Sequence, residues 1–385
     1  MGAVQVKKIR VLHLPTTVGG NPQGLSLHLN KIGIESETWT IWQNYIGYPA
    51  DKVICGSSEN RVRCEIKRIF ALRYIYYSDV VFFNFGQTLF QQLPQTQYED
   101  KRFTARLLFS LYRQYASLMQ NVELYLLKKN RKILLIQYQG DDARQGDYLL
   151  KHFPINTATQ VETGYYSRES DALKREQIQR ITKMCFKTYA LNPDLLHVLP
   201  IGSEFLPYSH ISLEDWSPYY TQMASRPLRI GHAPSHRGFK GTKLILASLE
   251  ELKREGFEFE LVLVEGRSNS EAKECYKTVD VLVDQLFAGW YGGLAVEAMA
   301  LGKPVVVYIR KADLKFIPPK MAAELPVIHA TPDSIGSALR KILEMPRSEL
   351  LDIARRSRAY VERWHDPITI AERIKKDIEK AISAR

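Results

Sequence analysis

Short apolar runs alternate with amphipathic stretches along the first half of the chain. The run KIRVLHL at 8–14 predicts a strand, and the turn PTTVGGNPQG leads from it into the helical pattern LSLHLNKIG, which ends at Gly33. Three more strands are predicted at 36–42, 79–86 and 132–140, with helical patterns between them. Strands that alternate with helices in this way indicate a parallel sheet covered by helices.

The alternation stops and then restarts in the second half. Residues 206–227 are rich in Pro, Ser and aromatic residues, and we interpret them as a linker. Beyond them, the segments 228–234, 259–266, 279–285 and 303–309 predict strands, and 240–256 predicts a helix. We therefore predict an α/β fold of two doubly wound Rossmann-like domains, at 1–205 and 228–365, which face a cleft. A C-terminal helix at 366–385 is expected to close the structure by packing back on the N-terminal domain, and the cleft is the default ligand site.

The composition is that of an ordinary globular protein, with 45% hydrophobic and 25% charged residues. No apolar run approaches the roughly 20 residues that span a bilayer. The chain starts without a recognisable secretory signal, and no C-x-x-C pair occurs among the four cysteines, Cys55, Cys64, Cys185 and Cys275. These features predict reduced structural cysteines in a cytoplasmic protein.

The net charge of +11 requires an anionic partner. Nucleic acid, an acidic membrane surface and phosphorylated small molecules are the three classes to consider. A nucleic-acid-binding or regulatory protein is the weaker interpretation, because the sequence has no zinc-finger spacing, RNA-recognition motif or helix-turn-helix pattern.

Much of the positive charge lies at 101–132, which carries eight Lys/Arg residues and one acid, Glu123. Apolar residues at steps of three and four run through this segment and predict one face of a helix: Leu108, Leu111, Tyr112, Tyr115, Leu118, Met119, Val122 and Tyr125. The segment 61–77 is also basic and aromatic. We favour a stripe that faces the core, with a solvated basic edge. The alternative is that this surface binds anionic lipid peripherally, at the inner face of the cytoplasmic membrane.

A single carboxylate, Glu297, lies in the small-residue run AGWYGGLAVEAMALGKPVVV at 288–307. Buried there without a partner, it would cost several kcal/mol, on the order of the penalty for an unpaired buried charge. A carboxylate accepts two hydrogen bonds, which suits the vicinal diol of a ribose. The small residues Gly292 and Gly293, followed by Leu294, would let such a ligand approach the backbone. The alternative is a helix-start glutamate that the helix dipole stabilises.

Two cations occupy the turn HRGFKGT, which starts a helix after the first strand of the second half. The N–H groups and the dipole of a helix start favour an anion, so Arg237 and Lys240 are candidates to neutralise a diphosphate. The alternative is a pair of solvated surface charges.

These motifs together resemble the donor domain of GT-B glycosyltransferases, particularly the retaining group called family 4. The specific matches are HAPSHRGFKGT at 232–242 and GGLAVEAMALGKPVV at 292–306, and weaker ones are VGGNPQG, QYQGDDAR and LNPDLLHVLPIGSEFLP in the first half. The resemblance implies that Arg237 and Lys240 hold the donor diphosphate and that Glu297 holds the ribose. The chain departs from the family pattern at Gly289, where the first glutamate of the motif is expected, and at Gln139, where a histidine is usual.

Further candidates follow predicted strands, where they should face the cleft. Asp141 and Asp142 end the strand at 132–140 and would position or deprotonate an acceptor hydroxyl, unless they cap a helix. Asp284, with Gln285, is a candidate to replace the missing acid at the donor sugar. Gly19 and Gly20 would bring backbone amides to the diphosphate or to the acceptor.

The sequence thus predicts a glycosyltransferase that moves a sugar from a UDP- or GDP-linked donor to a hydroxyl of a glycan or a lipid-linked acceptor. Retention of configuration follows from the resemblance. No metal and no other cofactor are expected, since neither D-x-D nor a His/Cys cluster with ligand spacing occurs. The alternatives are a nucleotide-sugar 2-epimerase on the same fold and a catalytically inactive GT-B binding protein.

Overall fold

The computed structural model describes residues 8–43, 47–91, 103–220 and 226–385, and they form two parallel sheets with helices on both faces. The first sheet has seven strands: β1 (Arg10–Leu14), β2 (Glu35–Thr40), β3 (Lys52–Val53), β4 (Val80–Asn84), β5 (Ile133–Tyr138), β6 (Lys187–Ala190) and β7 (Glu204–Phe205). Their order is β3-β2-β1-β4-β5-β6-β7. The chain runs outward from β1 to β3 and returns to β4 beside β1, so the strand order reverses between β1 and β4.

The α-helices that the structure describes in this part of the chain are α1 (Asn21–Lys31), α2 (Arg61–Ala71), α3 (Tyr74–Tyr77), α4 (Phe103–Lys129), α5 (Gly146–His152) and α6 (Arg168–Thr182). The central strands β4 and β5 are covered on both faces, as in a sheet packed between helices, whereas β2 alternates and exposes Glu35 and Glu37. All five residues of β4 and all six residues of β5 are buried.

The second sheet has five strands: β8 (Leu228–His232), β9 (Phe259–Leu263), β10 (Val281–Val283), β11 (Val305–Val307) and β12 (Ile328–His329). Their order is β12-β11-β10-β8-β9, and the reversal falls between β8 and β10. Its helices are α7 (Arg237–Lys240), α8 (Thr242–Arg254), α9 (Asn269–Thr278), α10 (Gly293–Ala300), α11 (Pro319–Ala323), α12 (Ile335–Glu344) and α13 (Arg347–Trp364).

The last helix, α14 (Pro367–Ser383), packs on the first domain although it ends the chain. Its buried face shares one apolar cluster with Leu25 and Leu29 of α1. The hydroxyl of Tyr189 in β6 donates to Oδ2 of Asp377 at 2.8 Å. Two doubly wound domains and a C-terminal helix are present as predicted. Among the described residues, no helix combines the length and the hydropathy of a membrane span.

The described part of the predicted linker, 206–220, is packed rather than extended over the surface. Tyr208, Ile211 and Trp216 are buried in the same core as Trp290 and Tyr291 of the second domain. Residues 221–225 lie outside the described residues. The connection between the domains is therefore a part of the core.

The interpretation that the apolar stripe of α4 faces the core is wrong for four of its eight residues. Leu108, Leu111, Leu118 and Tyr125 are exposed, and the buried side carries Phe109, Ala116, Gln120, Glu123, Leu124 and Leu127. The physical reason is Glu123, whose carboxylate is buried and accepts the hydroxyl of Tyr74 at 2.7 Å and two backbone N–H groups of the loop after β4. A count of apolar residues places this carboxylate on the solvent side.

The expectation that all four cysteines are reduced is wrong for two of them. Cys55 and Cys64 form a disulfide that joins the segment after β3 to α2, while Cys185 and Cys275 are free thiols. Burial raises the pKa of the Cys185 thiol, so it is inert at neutral pH. With a disulfide present, cysteine usage no longer supports a reducing compartment.

Candidate functional site

A cavity of about 410 Å³ lies between the two sheets. Residues that follow the carboxyl ends of β1, β4 and β5 line it from the first domain, and residues that follow β8 and β9 line it from the second. In both sheets these strands lie at or next to the reversal of strand order, which is where open α/β sheets bind ligands. The volume is that of a small-molecule site.

Lys240 ends α7, and its side chain lines the cavity. Its Nζ donates to Oδ1 of Asp284 at 2.6 Å and to Oε1 of Gln285 at 3.0 Å. The second oxygen of Asp284 accepts the backbone N–H of Gly292 at 2.9 Å. Asp284 is fully buried. Lys240 therefore faces the cavity as a cation held from behind, and Asp284 and Gln285 support it instead of reaching the cavity themselves.

Glu297 lies one turn into α10, lines the same cavity and is 5% exposed. Nδ2 of Asn269 donates to its Oε1 at 2.8 Å, and Nε2 of His210 lies 3.4 Å from the same oxygen. The premise that the protein offers Glu297 no partner is thus wrong. Because both contacts fall on Oε1, Oε2 is the oxygen that a ligand hydroxyl would meet.

The start of α10 lies between these two charges. Gly293 and Leu294, its first two residues, line the cavity, and Nζ of Lys240 is 3.5 Å from where a Cβ on Gly292 would be. The N–H groups of a first helical turn have no partner within the helix and favour an anion. Ammonium, helix start and carboxylate therefore occur in a row along one wall.

Arg237 does not join this row. Its Nε and Nη2 donate to the two carboxylate oxygens of Glu265 at 2.8 and 2.6 Å, and its side chain is more than half exposed. Glu265 lines the cavity, whereas Arg237 lies outside its lining. The structure thus brings Lys240 and Glu297 together and places Arg237 at the rim, in an ion pair that solvent screens.

Gly289 is the residue that the resemblance aligns with the first glutamate of the family motif. Its φ is +81°, a left-handed conformation that side chains disfavour. A Cβ there would lie 2.7 Å from Cζ of Arg310. Arg310 is fixed by Asp313 at 2.9 Å and by the backbone oxygen of Ile155 at 3.0 Å, and it stacks on the ring of Phe153. A guanidinium therefore fills the space that a side chain at 289 would need.

Asp141 and Asp142 follow β5 as predicted, but their carboxylates bond to the protein. Asp141 accepts the hydroxyls of Tyr165 and Tyr166 at 2.6 and 2.7 Å. Asp142 accepts the backbone N–H groups of its own turn, from Gln139 at 3.0 Å and from Gly140 at 2.6 Å. Both carboxylates lie outside the lining of the cavity, which Gln139 reaches from the same segment.

The contributions of Asp141 and Asp142 to folding stability should change with pH in opposite directions. Burial raises the pKa of Asp142 from 3.8 to about 6. Burial alone would also raise the pKa of Asp141, but Arg144 and the two tyrosine hydroxyls bring it below its ordinary value. Between pH 4 and 6 the unfolded chain loses the Asp142 proton first, so this group lowers stability as pH rises. Asp141 instead contributes stability at neutral pH that is lost as pH falls through its native pKa.

We expect Asp142→Asn to stabilise the protein at pH 8 relative to pH 4, by about 3 kcal/mol for the two units between the folded and unfolded pKa values. Asp141→Asn, its matched control, should destabilise the protein at pH 8 and have less effect near pH 3. Urea unfolding of both variants and the wild type across this range measures the differences. A pH-independent effect of Asp142→Asn would contradict the expectation.

The glycine-rich segment after β1 reaches the cavity through Gly19, which lines it beside Gln139. Gly20 is turned to the ring of Tyr48, from which a Cβ at this position would be 2.7 Å away. Nε2 of Gln139 is buried and makes no hydrogen bond to the residues that the structure describes. Gln139, which the resemblance aligns with a histidine, thus presents an amide group that a ligand could bond.

Several cavity residues were not identified from the sequence, among them Tyr48, His210, Asn269 and Tyr276. Burial, with Glu297 nearby, raises the pKa of Tyr48 and of Tyr276, so both keep neutral hydroxyl groups at physiological pH. His210 lies in the predicted linker. The density of aromatic residues there was the available signal, because such residues tend to be buried rather than exposed in a connection.

Metal ligands are the remaining chemical question. Within the ranges 8–43, 47–91, 103–220 and 226–385, no group of three His, Cys, Asp or Glu side chains is placed to hold a metal ion. Whether the protein works without a metal stays a prediction.

No protein-family model and no curated protein match the sequence. Solved structures match along almost the whole chain. Sucrose-phosphate synthase from Thermosynechococcus elongatus superposes with a TM-score of 0.61 at 13% identity, over 98% of this chain and 100% of that one. The catalytic domain of starch synthase IV from Arabidopsis thaliana, bound to ADP and acarbose, gives 0.57 at 10% identity, over 98% and 99%.

A UDP-GlcNAc 2-epimerase from Neisseria meningitidis, bound to UDP-GlcNAc, gives a TM-score of 0.50 at 14% identity, over 97% of this chain and 100% of that one. The chain therefore has the GT-B fold, and the fold class expected from the sequence is confirmed. At these identities the likeness establishes the fold alone.

Proposed function

We propose that the protein is a glycosyltransferase that moves a sugar from a nucleoside-diphosphate sugar to a hydroxyl of a glycan or a lipid-linked acceptor. The observation that carries the proposal is the row of Lys240, the start of α10 and Glu297 along one cavity wall. A diphosphate requires positive charge and N–H donors, and a ribose diol requires an acceptor. The row offers these groups in that order.

In this mechanism Lys240 stabilises the charge that develops on the leaving diphosphate. Its Nζ has three hydrogens and donates two of them to Asp284 and Gln285, so the third can be donated to a phosphate oxygen while the ion pair with Asp284 stays intact. Since the chain supplies the positive charge, we infer that transfer needs no divalent cation and no other cofactor. Retention of configuration, with UDP or GDP as the leaving group, is inferred from the family resemblance.

On the acceptor side, the predicted carboxylates do not line the cavity themselves. Asp142 holds the backbone of Gln139 and Gly140, and Gln139 reaches the cavity. We therefore assign Asp142 a positioning role, in place of direct contact with the acceptor hydroxyl. Asp141 serves to fix the segment that carries Tyr165 and Tyr166.

A nucleotide-sugar 2-epimerase is the second candidate, because the fold is also that of the epimerase described above. The test incubates the protein with UDP-glucose, UDP-GlcNAc, ADP-glucose and GDP-mannose, with and without a glycan acceptor, in EDTA. Release of nucleoside diphosphate that depends on the acceptor supports transfer. A new nucleotide sugar formed without acceptor would instead indicate epimerisation, and binding without turnover an inactive GT-B protein.

We further propose that the enzyme associates peripherally with an anionic membrane surface. Helices α2 and α4 are neighbours, since Tyr112 and Tyr115 of α4 both donate to the carboxylate of Glu65 in α2. Their outer faces and the segment after α2 expose apolar side chains: Val62, Ile66, Ile69, Phe70, Tyr76, Tyr77, Leu107, Leu108, Leu111, Leu118 and Tyr125. Cations stand among them, at Arg61, Arg63, Lys67, Arg73, Arg106, Lys128 and Lys129. Apolar side chains set among cations suit anionic lipid.

Flotation with vesicles of phosphatidylcholine, with and without phosphatidylglycerol, tests this surface. We expect binding to the anionic vesicles that salt weakens and that Phe70→Ser reduces. Ile201→Ser, at a fully exposed apolar residue far along the chain, is the matched control. Absence of salt-sensitive binding would contradict the membrane proposal and leave the donor site untouched.

A further inference from the structure

His210 is a polar residue in the cavity wall that the proposed donor site does not yet use. Its side chain is 2% exposed, and neither ring nitrogen makes a hydrogen bond to the residues that the structure describes. Buried polar groups are nearly always hydrogen-bonded in folded proteins. An unsatisfied one beside a cavity points to a partner that enters the cavity.

The imidazole ring is held in place by its neighbours. Tyr208 lies edge-on to it, with ring centres 5.8 Å apart. Cε1 and Nε2 of His210 are 3.4 Å from the position that a Cβ on Gly293 would take, so the imidazole ring packs on the start of α10. Nε2 lies 3.4 Å from Oε1 of Glu297. His210 and Glu297 thus form a fixed pair of side chains at one end of the row.

The backbone just before His210, at Ser209, is fixed to the first domain. The N–H of Ser209 donates to Oδ1 of Asn21 at 3.0 Å. A Cβ on Gly24 would lie only 2.1 Å from the backbone oxygen of Ser209, so α1 and this segment are in direct backbone contact. The first domain therefore positions a side chain that acts on the second.

We propose that His210 is a further donor-binding residue, which recognises the ribose diol together with Glu297; this inference rests on the proposed function. A carboxylate only accepts hydrogen bonds, so Glu297 can bond the diol hydrogens but cannot satisfy the diol oxygens. A neutral imidazole carries one N–H donor and one acceptor nitrogen. His210 supplies the donor that Glu297 lacks, and the pair selects ribose over deoxyribose.

The test measures calorimetric binding of UDP, ADP and GDP, and of the 2′-deoxy and 3′-deoxy forms of the one that binds. His210→Phe keeps a ring of similar size against Tyr208 and Gly293 and removes both nitrogens. We expect it to raise the Kd of the ribonucleotide roughly tenfold, the value of about one hydrogen bond. One of the two deoxy forms should bind His210→Phe and the wild type alike. His210→Gln, which retains an N–H donor, should recover part of the affinity.

Each outcome decides the matter, provided that thermal melts show the variants folded. Equal ribonucleotide binding by His210→Phe and the wild type overturns the role of His210 while the donor site stands. Equal weakening for the ribonucleotide and both deoxy forms also overturns it, since that result reflects packing alone. If none of the three diphosphates binds the wild type, the proposed function fails as well.

Discussion

Replacing Lys240 by methionine should lower transfer by roughly 100- to 1,000-fold, the range seen when one group that stabilises developing negative charge is removed. Methionine keeps the length and apolar stem of the side chain and removes the ammonium that faces the cavity. Binding of the nucleoside diphosphate should weaken, whereas binding of the nucleoside alone should not. Turnover with a nucleotide sugar and calorimetry with the diphosphate and the nucleoside measure these effects.

A loss of folding stability must be distinguished from the loss of transfer activity. Lys240→Met leaves the carboxylate of Asp284 buried, with the N–H of Gly292 as its remaining hydrogen-bond donor. Breaking a buried pair on one side costs about 3–5 kcal/mol. The double variant Lys240→Met/Asp284→Asn removes the uncompensated charge, so it should recover stability but not transfer. Lys243→Met, on the exposed side of α8, is the matched control. Recovery of transfer in the double variant would exclude the proposed phosphate role.

The second large effect is expected at Glu297. Glu297→Gln keeps the shape and removes the charge, so the diol meets a weaker acceptor and an N–H₂ group. A hydrogen bond to a charged group contributes about 1.5–3 kcal/mol, so the Kd of the nucleoside diphosphate should rise roughly 10- to 150-fold. Calorimetry without added metal measures this change, and the binding nucleotide also identifies the base.

Glu251→Gln, at an exposed position of α8, is the control for Glu297→Gln and should bind as the wild type does. Thermal melts should show only a small change for Glu297→Gln, since the amide of Asn269 can rotate to present its oxygen. Unchanged diphosphate binding in a folded Glu297→Gln protein would remove the ribose role and with it the main support for the donor site.

The fold was predictable because it depends on local patterns. Strands such as 80–84 and 133–138 are buried throughout and apolar except for Asn84 and Gln137. The intervening helices carry their own periodicity, so the alternation of a parallel α/β fold is visible in the sequence. The face of α4 was not predictable from periodicity, because its buried side carries Glu123 for contacts with Tyr74 and the loop after β4.

Site residues were predictable where a short sequence motif contains both the functional residue and the turn or helix that positions it. Lys240 and Glu297 follow strand ends of a single domain, and the fold brings both to one cavity. Pairings across distant segments were not visible: Lys240 with Asp284, Arg237 with Glu265, and Glu297 with Asn269. Each joins residues at least 28 positions apart, and neither motif nor spacing specifies which neighbours will meet. For the same reason His210 was not identified as a site residue, because it lies in the segment interpreted as a linker.

The chain crosses between its two domains twice, first at 206–220 and again between α13 and α14. The crossings are adjacent, since Nδ1 of His365 lies 3.0 Å from the backbone oxygen of Tyr208 and its Nε2 lies 2.8 Å from the hydroxyl of Tyr291. Burial lowers the pKa of His365 to about 3, so this contact carries no charge at neutral pH. Because the two crossings lie side by side, we expect any relative movement of the domains to be mainly a rotation about the line that joins them. His210 follows Tyr208 of the first crossing by two positions, so it should shift less in such a rotation than residues farther from that line.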